Sequence, residues 1–203
     1  MGFDLTGRKP IQNTQKPDII VKFEAENGFV MWEKMSENEK DDYFAAKAQW
    51  NNKNPGIYFR NTIWWWRPLW NYVSSVCDFN DDETSRGLYN DGTIIYKYEA
   101  LNIAKILQEE LDNGNILSYS NKYTEELDNL PLEPCEFCNG TGVRFWDDIE
   151  IAKDCNSCNT ESSRKDGIPP GKVKNFSTSY PFSIENVESF IKFCKESGGF
   201  HIW

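Results

Sequence analysis

Four cysteines place the strongest constraint on the fold of this 203-residue chain. They form two Cys-x-x-Cys pairs, Cys135 with Cys138 and Cys155 with Cys158, with sixteen residues between the pairs. Each pair turns the backbone tightly enough to present two thiolates, and two such turns together complete a tetrahedral site. The spacing therefore predicts one structural Zn²⁺ held by four thiolates, with no open coordination position for a substrate.

Two disulfides, or four unrelated thiols, are the alternatives to a metal site. The N-terminal segment M-G-F-D-L-T-G has neither the basic nor the apolar stretch of a secretory signal, so we expect a cytoplasmic protein. In a reducing cytoplasm such cysteine pairs favour metal over disulfides. The remaining thiols, Cys77 and Cys194, lie in apolar helical patterns and are expected in the core.

The residues N-G-T-G after Cys138 complete a C-x-x-C-x-G-x-G pattern, in which glycines let the backbone turn and direct amides at the thiolates. This pattern resembles the zinc repeats of DnaJ-type co-chaperones. The second pair, C-N-S-C-N-T-E-S, lacks those glycines, and the J-domain His-Pro-Asp is absent. The resemblance therefore implies a zinc hairpin without chaperone activity. Residues 143–152 are expected to form its arm, with Asp147 and Asp148 at the bend.

The charge of the chain is strongly acidic, with 32 acidic against 22 basic residues and a formal net charge of -10. Such a chain repels phosphate, so we expect no direct binding of nucleic acid. No apolar run approaches the roughly eighteen residues of a membrane span. The acidic run from Asp78 to Glu83 predicts a solvated loop, and a surface for a basic partner is the alternative.

An aromatic segment, Y-F-R-N-T-I-W-W-W-R-P-L-W-N-Y-V, runs from Tyr58 to Val73. Three consecutive tryptophans cannot all face one way on a helix or a strand, so we expect two of them buried and one in a cleft. Flanking arginines can hold an anion or a planar base, so a pocket for a nucleotide-type ligand is one interpretation. The interpretation that we favour is that the rings are core and the arginines lie on its rim, because aromatic stripes more often serve packing than recognition.

The candidate binding residues are polar groups beside aromatic rings, which can line one cleft if the following helices pack together. They are Arg60, Asn61, Trp64, Trp65, Trp66, Arg67, Asn90 and Asp91. No phosphate-binding loop is present, and the single histidine, His201, is expected to pack or face solvent. No catalytic residue is therefore assigned, although an enzyme acting through a carboxylate such as Asp91 stays an alternative.

Hydrophobic periodicity predicts a small, helix-rich α+β single domain with short strands and an inserted zinc hairpin. Helices are expected after Ser36, from Pro68 to Cys77, from Tyr96 to Leu111 and after Ser183. Strands are expected at 2–5, 18–24 and 116–120, with an edge strand at 200–203. Residues 78–92 and 161–175 are expected as loops. We divide the chain into a core at 1–132, the hairpin at 133–160, and a segment at 161–203 that completes the core.

The whole chain is similar to a family of uncharacterised proteins carried mainly by tailed bacteriophages. The similarity rests on the opening M-G-F-D, the central Y-F-R-N-x-x-W-W-W-R-P-L-W, Y-N-D-G at 89–92, the knuckle, and the closing S-Y-P-F-S-x-E-N-V-E-x-F with G-G-F. The resemblance implies an accessory protein in the bacterial cytoplasm. The leading hypothesis is a non-enzymatic protein that binds and modulates or inhibits a host protein, as an anti-defence factor does. Nucleotide sequestration near Arg60 and Arg67, and an enzyme at that place, are the alternatives.

Overall fold

The computed structural model describes residues 2–25, 28–146 and 149–203. It has the predicted α+β composition, with about half of the chain in helices. The chain forms two compact units, of which the first comprises Met1–Ser120 and Phe182–Trp203 and the second Asn121–Pro181. The hairpin predicted at 133–160 lies inside the second unit, which extends beyond it in both directions.

The helices and strands follow one another in an irregular alternation. In chain order they are β1 (Gly2–Gly7), α1 (Asp18–Phe23), α2 (Glu37–Lys53), β2 (Tyr58–Thr62), α3 (Ile63–Val76), α4 (Asp81–Ser85), β3 (Thr93–Ile95), α5 (Lys97–Asp112), α6 (Asn115–Asp128), β4 (Glu133–Pro134), β5 (Val143–Trp146), β6 (Ile149–Asp154), α7 (Glu161–Lys165), β7 (Lys172–Val173), α8 (Ile184–Glu196) and β8 (Phe200–Ile202). Within the described ranges, no helix combines the length and apolar character needed to cross a bilayer.

The first unit contains an antiparallel sheet with the strand order β2-β1-β8-β3. Leu5 of β1 pairs with Ile202 of β8, and Phe200 on β8 pairs with Ile95 of β3. The last strand therefore lies between two others, and the prediction of an edge strand is wrong. The pairing partners of β8 are distant in sequence, so the local pattern could not indicate both.

The main core of the first unit is built by α3, α5 and α8, which pack against one another and on the sheet. Trp66 is fully buried, with its ring stacked on Phe3 at 5.4 Å and on Trp70 at 5.4 Å between centroids. Phe190 and Phe193 of α8 pack near Phe200. Aromatic rings bury large apolar areas, so this cluster is the main source of stability in the unit.

Helix α3 begins at Ile63, five residues before Pro68, so the prediction of a first-turn proline is wrong. A proline inside a helix removes one backbone hydrogen bond and costs about 3 kcal/mol. Trp66, Trp70 and Val73 recur at helical spacing and are all buried. We infer that their burial offsets that cost, because each large apolar side chain contributes about 1.5–3 kcal/mol when buried.

Residues 18–23 form a helix, so the strand predicted at 18–24 is wrong. Ile20 and Phe23 are three residues apart and are both buried in a second cluster with Tyr43 and Trp50. Only a helical turn places positions three apart on one side, and Pro17 precedes the first turn with a suitable φ of -59°. Burial of that side outweighs the strand preference of the branched residues.

The predicted helix caps are confirmed at α2 and α8. The Ser36 hydroxyl accepts from the Glu39 amide, and the Glu39 carboxylate accepts from the Ser36 amide in return. At α8 the Ser183 hydroxyl accepts from the Asn186 amide, without a reciprocal bond. Residues 116–120 lie in α6, so the strand predicted there is wrong. Short helices also occupy parts of both predicted loops, as α4 and α7.

The second unit contains two small antiparallel ribbons. Strand β4 pairs with β7, and β5 pairs with β6 through Val143 opposite Asp154. The predicted hairpin arm at 143–152 is therefore formed by β5 and β6. Its predicted bend at Asp147 and Asp148 lies outside the described residues.

Candidate metal centre

The four cysteines of the two pairs come together in the second unit, and all four are buried. Their sulfur atoms lie within 4.8 Å of one another, with 4.0 Å between the Sγ atoms of Cys135 and Cys155 and 3.6 Å between those of Cys138 and Cys158. A tetrahedron with metal–sulfur bonds of about 2.3 Å has sulfur–sulfur edges of about 3.8 Å. The cluster therefore has the size of a four-thiolate metal site, and it can hold a metal ion.

No disulfide joins these cysteines. All six cysteines of the chain lie in the described ranges and are free thiols. A disulfide needs sulfur atoms about 2.05 Å apart, far closer than any pair given above. The disulfide alternative from the sequence is therefore wrong for this structure.

The first cysteine pair is shaped by a tight turn that continues into the two predicted glycines. Cys138 ends a 3₁₀ turn, and Asn139, Gly140 and Gly142 follow with φ values of 50°, 80° and 77°. Positive φ is accessible to glycine without strain. The Gly142 amide lies 3.2 Å from Cys138 Sγ and donates to it. The prediction that these glycines direct an amide at a thiolate is confirmed for Gly142.

The second cysteine pair takes its support from a distant glycine that sequence reasoning missed. The amide of Gly171 donates to the sulfur of Cys158, and its carbonyl accepts from the Cys135 amide at 2.8 Å. A Cβ added to Gly171 would lie 2.1 Å from the carbonyl oxygen of Gly140. The sequence Pro169-Pro170-Gly171 is typical of a tight turn, and this turn is the one sequence feature that could have drawn attention to Gly171.

The thiols differ in acidity because their hydrogen bonds differ. Burial alone would raise the pKa of Cys138, but the Gly142 amide and the neighbouring thiols lower it to about 6. Cys155 behaves alike, since amide donors at Ser157 and Cys158 outweigh burial and lower its pKa. Burial raises the pKa of Cys158 to about 12. The hydrogen bonds of the cluster thus shift Cys138 and Cys155 toward the thiolate form, which is the form that metal ligands require.

Cys77 and Cys194 lie in the first unit and belong to its apolar core, as predicted. Cys194 is buried, and Cys77 is half-buried at the end of α3. Burial raises the pKa of Cys77 to about 12 and that of Cys194 well above its ordinary value. Burial thus favours the neutral thiol at both positions.

The three consecutive tryptophans are distributed differently from the prediction. Only Trp66 is buried, whereas Trp64 and Trp65 are 37% and 39% exposed. The expectation of two buried rings is wrong, because a helix turns about 100° per residue and the core side of α3 accepts one ring in three. Trp64 and Arg67, three residues apart, share a side of this helix, and Arg67 is exposed.

The polar residues predicted beside these rings have structural partners. Arg60 Nε lies 3.6 Å from Asp4 Oδ1 across the β1–β2 pair. Asn61 is buried, and its Nδ2 donates to Asn186 Oδ1 at 3.0 Å. These contacts attach β2 to β1 and to α8.

The last two predicted binding residues, Asn90 and Asp91, are exposed in the turn before β3. Asn90 Nδ2 donates to the Gly2 carbonyl at 3.3 Å, so it reaches the β1 end at which Arg60 also lies. Asp91 Oδ1 accepts from the hydroxyl and the amide of Thr93, and the hydroxyl bond is the larger cause of its lowered pKa. A nucleotide pocket or an enzyme at this place stays a prediction.

A groove of about 510 Å³ lies beside the cysteine cluster, within the second unit. Phe137 and Phe176 line it and are 64% and 63% exposed. Pro134 and Val173 add apolar surface, and Lys174 contributes a charge. Cys135 also lines the groove, so the groove lies directly beside one member of the cysteine cluster.

Comparison with protein-family models, with curated proteins and with solved structures finds no match to this chain.

Proposed function

We propose that this protein is a zinc-stabilised, non-enzymatic interaction protein that binds a polypeptide segment of a host bacterial protein in the groove of its second unit. The observation that carries the proposal is a groove that contains two exposed phenylalanines and is lined in part by Cys135, one member of the buried four-thiol cluster. The resemblance to tailed-phage proteins makes a bacterial host protein the partner to test, and an anti-defence role follows from it as a proposal.

Zinc is the metal that best fits the four donors. Zn²⁺ prefers tetrahedral coordination by thiolates, and sites with two Cys-x-x-Cys pairs are a common structural form. Four cysteine ligands fill all the positions of a tetrahedral ion, so the ion has no place for a substrate. Zinc would hold the turns of both cysteine pairs together and would supply no reaction step.

The groove is suited to apolar side chains from a partner. Large exposed apolar side chains are unfavourable in water, and contiguous apolar surface often marks an interaction site. The rim supplies polar groups that can fix orientation, among them Lys174 and Glu133, whose carboxylate accepts from Asn175 at 2.6 Å. The metal-supported turn at Cys135 carries Phe137, so metal binding would preorganise the groove.

The composition of the purified chain tests the metal directly. We expect about one zinc per chain by elemental analysis. When this zinc is released, the four thiols that it protected should become accessible. Protein purified from bacterial cytoplasm without zinc, or with another metal in its place, would overturn the zinc assignment.

Affinity capture from host lysate tests the groove. The wild-type protein is compared with a Phe137→Ser/Phe176→Ser double variant and with Phe145→Ser, a matched control because Phe145 is 70% exposed in the same unit. We expect defined host proteins to bind the wild type and the control and to be lost from the double variant, with zinc content unchanged in all three. Capture of the same proteins by the double variant, or of none by the wild type, would refute the proposal.

A further inference from the structure

A second cavity, of about 600 Å³, lies in the first unit and brings three basic side chains together. Arg8, Lys9 and Lys97 line it together with Tyr96, Tyr98 and Leu101. Its volume falls within the range of about 300–1,000 Å³ that small-molecule sites occupy. None of these residues belongs to the cysteine cluster, to its groove or to the aromatic segment at 58–73.

Two glycines hold the walls of this cavity close together. The Arg8 amide donates to the Gly199 carbonyl at 2.7 Å, and the Lys9 amide donates to the Ser197 carbonyl at 3.1 Å. A Cβ added to Gly198 would lie 2.3 Å from the Lys9 carbonyl oxygen, and one added to Gly199 would lie 2.9 Å from the Lys97 amide nitrogen. The segment after β1 and the start of α5 are therefore fixed against the turn between α8 and β8.

The basic residues of the cavity lie close together, and no carboxylate among the described residues neutralises them. Elsewhere in this unit, Lys47 pairs with Glu24 at 2.7 Å and Lys22 with Glu39 at 2.9 Å. Across the described ranges, no carboxylate oxygen lies within 4.0 Å of the charged nitrogens of Arg8, Lys9 or Lys97. A protein with net charge -10 that leaves three adjacent cations unpaired presents a local site for an anion.

Glu99 is the acidic residue in the first turn of α5, and its carboxylate is engaged by groups outside the three cations. Its carboxylate accepts from the Tyr96 amide at 2.6 Å and binds Arg86 at 2.5 Å. It therefore does not cancel the charge of the three cations.

The aromatic residues of the cavity expose flat surfaces beside these cations. Tyr96 and Tyr98 are 49% and 73% exposed, and their rings are nearly parallel, with 7° between planes and 6.4 Å between centroids. The Arg8 guanidinium lies 5.4 Å from the Tyr96 centroid. Exposed rings of this kind stack on planar bases, while arginine and lysine bind phosphate.

We propose that this cavity binds a nucleoside diphosphate, with the base stacked on the tyrosines and the phosphates bound by Arg8, Lys9 and Lys97. Three cations balance the two or three negative charges of a diphosphate at neutral pH. The proposal is independent of the polypeptide groove, because the two sites share no residue and lie in different units.

Calorimetric titration of the metal-loaded full chain with ADP, GDP, CDP and UDP tests the proposal. We expect at least one diphosphate to bind, and inorganic phosphate and the matching nucleoside to bind at least about tenfold more weakly. Lys97→Ala and Tyr98→Ala should each reduce affinity about tenfold. The matched controls are Lys105→Ala on the same helix and Tyr89→Ala, both of which change exposed side chains outside the cavity.

Backbone amide chemical shifts give a second measurement on the unaltered protein. ADP, or whichever diphosphate binds, should perturb residues 8–9, 96–101 and 198–199. Absence of binding by all four diphosphates at millimolar concentration, equal affinity in Lys97→Ala and wild type, or shifts confined to other residues would each overturn the proposal. So would binding of a short single-stranded oligonucleotide in the absence of binding by free diphosphates.

Discussion

The two compact units of this protein are stabilised by different kinds of core. The first unit buries large apolar side chains, among them Trp66, Trp70, Phe190 and Phe200. Among the side chains described in the second unit, the buried core consists of Cys135, Cys138, Cys155 and Cys158. One unit is therefore stabilised by apolar area removed from water, whereas the buried core of the other is a cluster of four sulfur atoms.

This difference predicts a difference in metal dependence. Burial of large apolar side chains stabilises a fold without any cofactor. A unit of about sixty residues that buries little apolar surface needs a metal or cross-links to be stable. We therefore expect the second unit to fold only when a metal ion occupies the cysteine cluster, and the first unit to fold with or without metal.

The largest single effect is expected at Trp66, because it is fully buried between Phe3 and Trp70. Trp66→Ala should lower the free energy of unfolding of the first unit by about 3–5 kcal/mol. Thermal or denaturant unfolding followed by circular dichroism measures this change.

Trp65→Ala is the matched control in the same helix, since Trp65 is 39% exposed. It should cost less than about 1 kcal/mol. Equal destabilisation by the two variants would contradict the burial pattern. If the cores are independent, the absorption spectrum of the Co²⁺-substituted cysteine site should be unchanged in Trp66→Ala protein that remains folded.

A smaller effect is expected at Gly171, which supports the cysteine site of the second unit. Gly171→Ala places a Cβ 2.1 Å from the Gly140 carbonyl oxygen and should weaken metal affinity about 10- to 100-fold, as loss of supporting contacts around a metal does. Competition with a chromophoric chelator measures the change. Gly167→Ala is the control, because Gly167 has a similar positive φ of 71° but no atom within 4 Å of an added Cβ. Equal affinity in both variants would refute a role for close packing at Gly171.

The smallest effect is expected at Glu24, beside the second apolar cluster of the first unit. Burial raises the pKa of Glu24, but hydrogen bonds and charge from Lys47 at 2.7 Å and Lys16 at 3.1 Å lower it overall from its ordinary 4.5. A lowered folded-state pKa stabilises the fold above about pH 4.5, and this stability is lost as the pH falls through the folded value.

Glu24→Gln should therefore cost about 1 kcal/mol at pH 7. The difference from wild type should shrink as the pH is lowered below about 4.5. Free energies of unfolding of both proteins, measured from pH 7 to below pH 4.5, check this prediction. A difference between variant and wild type that grows as the pH falls would contradict it. At the four-thiol site, the pH dependence expected below about pH 4.5 is a loss of metal affinity, because protons compete with the metal for the thiolates.

The parts of the structure that were predictable from sequence are those fixed by local chemistry. Two Cys-x-x-Cys pairs at this spacing are typical of a metal site, so the sequence predicted both the cysteine cluster and the turn at its first pair. Ser36 with Glu39, and Ser183, indicated helix starts because a hydroxyl at that position can bind a free amide of the first turn. The zinc assignment and the host partner stay proposals.

The parts that were not predictable depend on contacts distant in the chain. The local sequence of Asp18–Phe23 predicts a strand. The segment is a helix because one side of it, with Ile20 and Phe23, packs against Tyr43 and Trp50, which are distant in sequence. Residues 116–120 form a helix because Gly114, with φ of 74°, turns the chain and lets Ile116 join the main core. The place of β8 in the sheet and the role of Gly171 at Cys158 likewise arise from long-range pairing.

Hydrogen exchange on the full chain, with Zn²⁺ supplied and after treatment with a chelator, tests the proposed metal dependence of the second unit most directly. The amides of Cys135, Cys155 and Asn159 bond to carbonyls near the cysteine cluster and should lose protection when the metal is removed. The amides of α5 and α8 should keep theirs, because an apolar core holds them. Undiminished protection around the cysteines after metal removal, or simultaneous loss of protection in both units, would contradict the account.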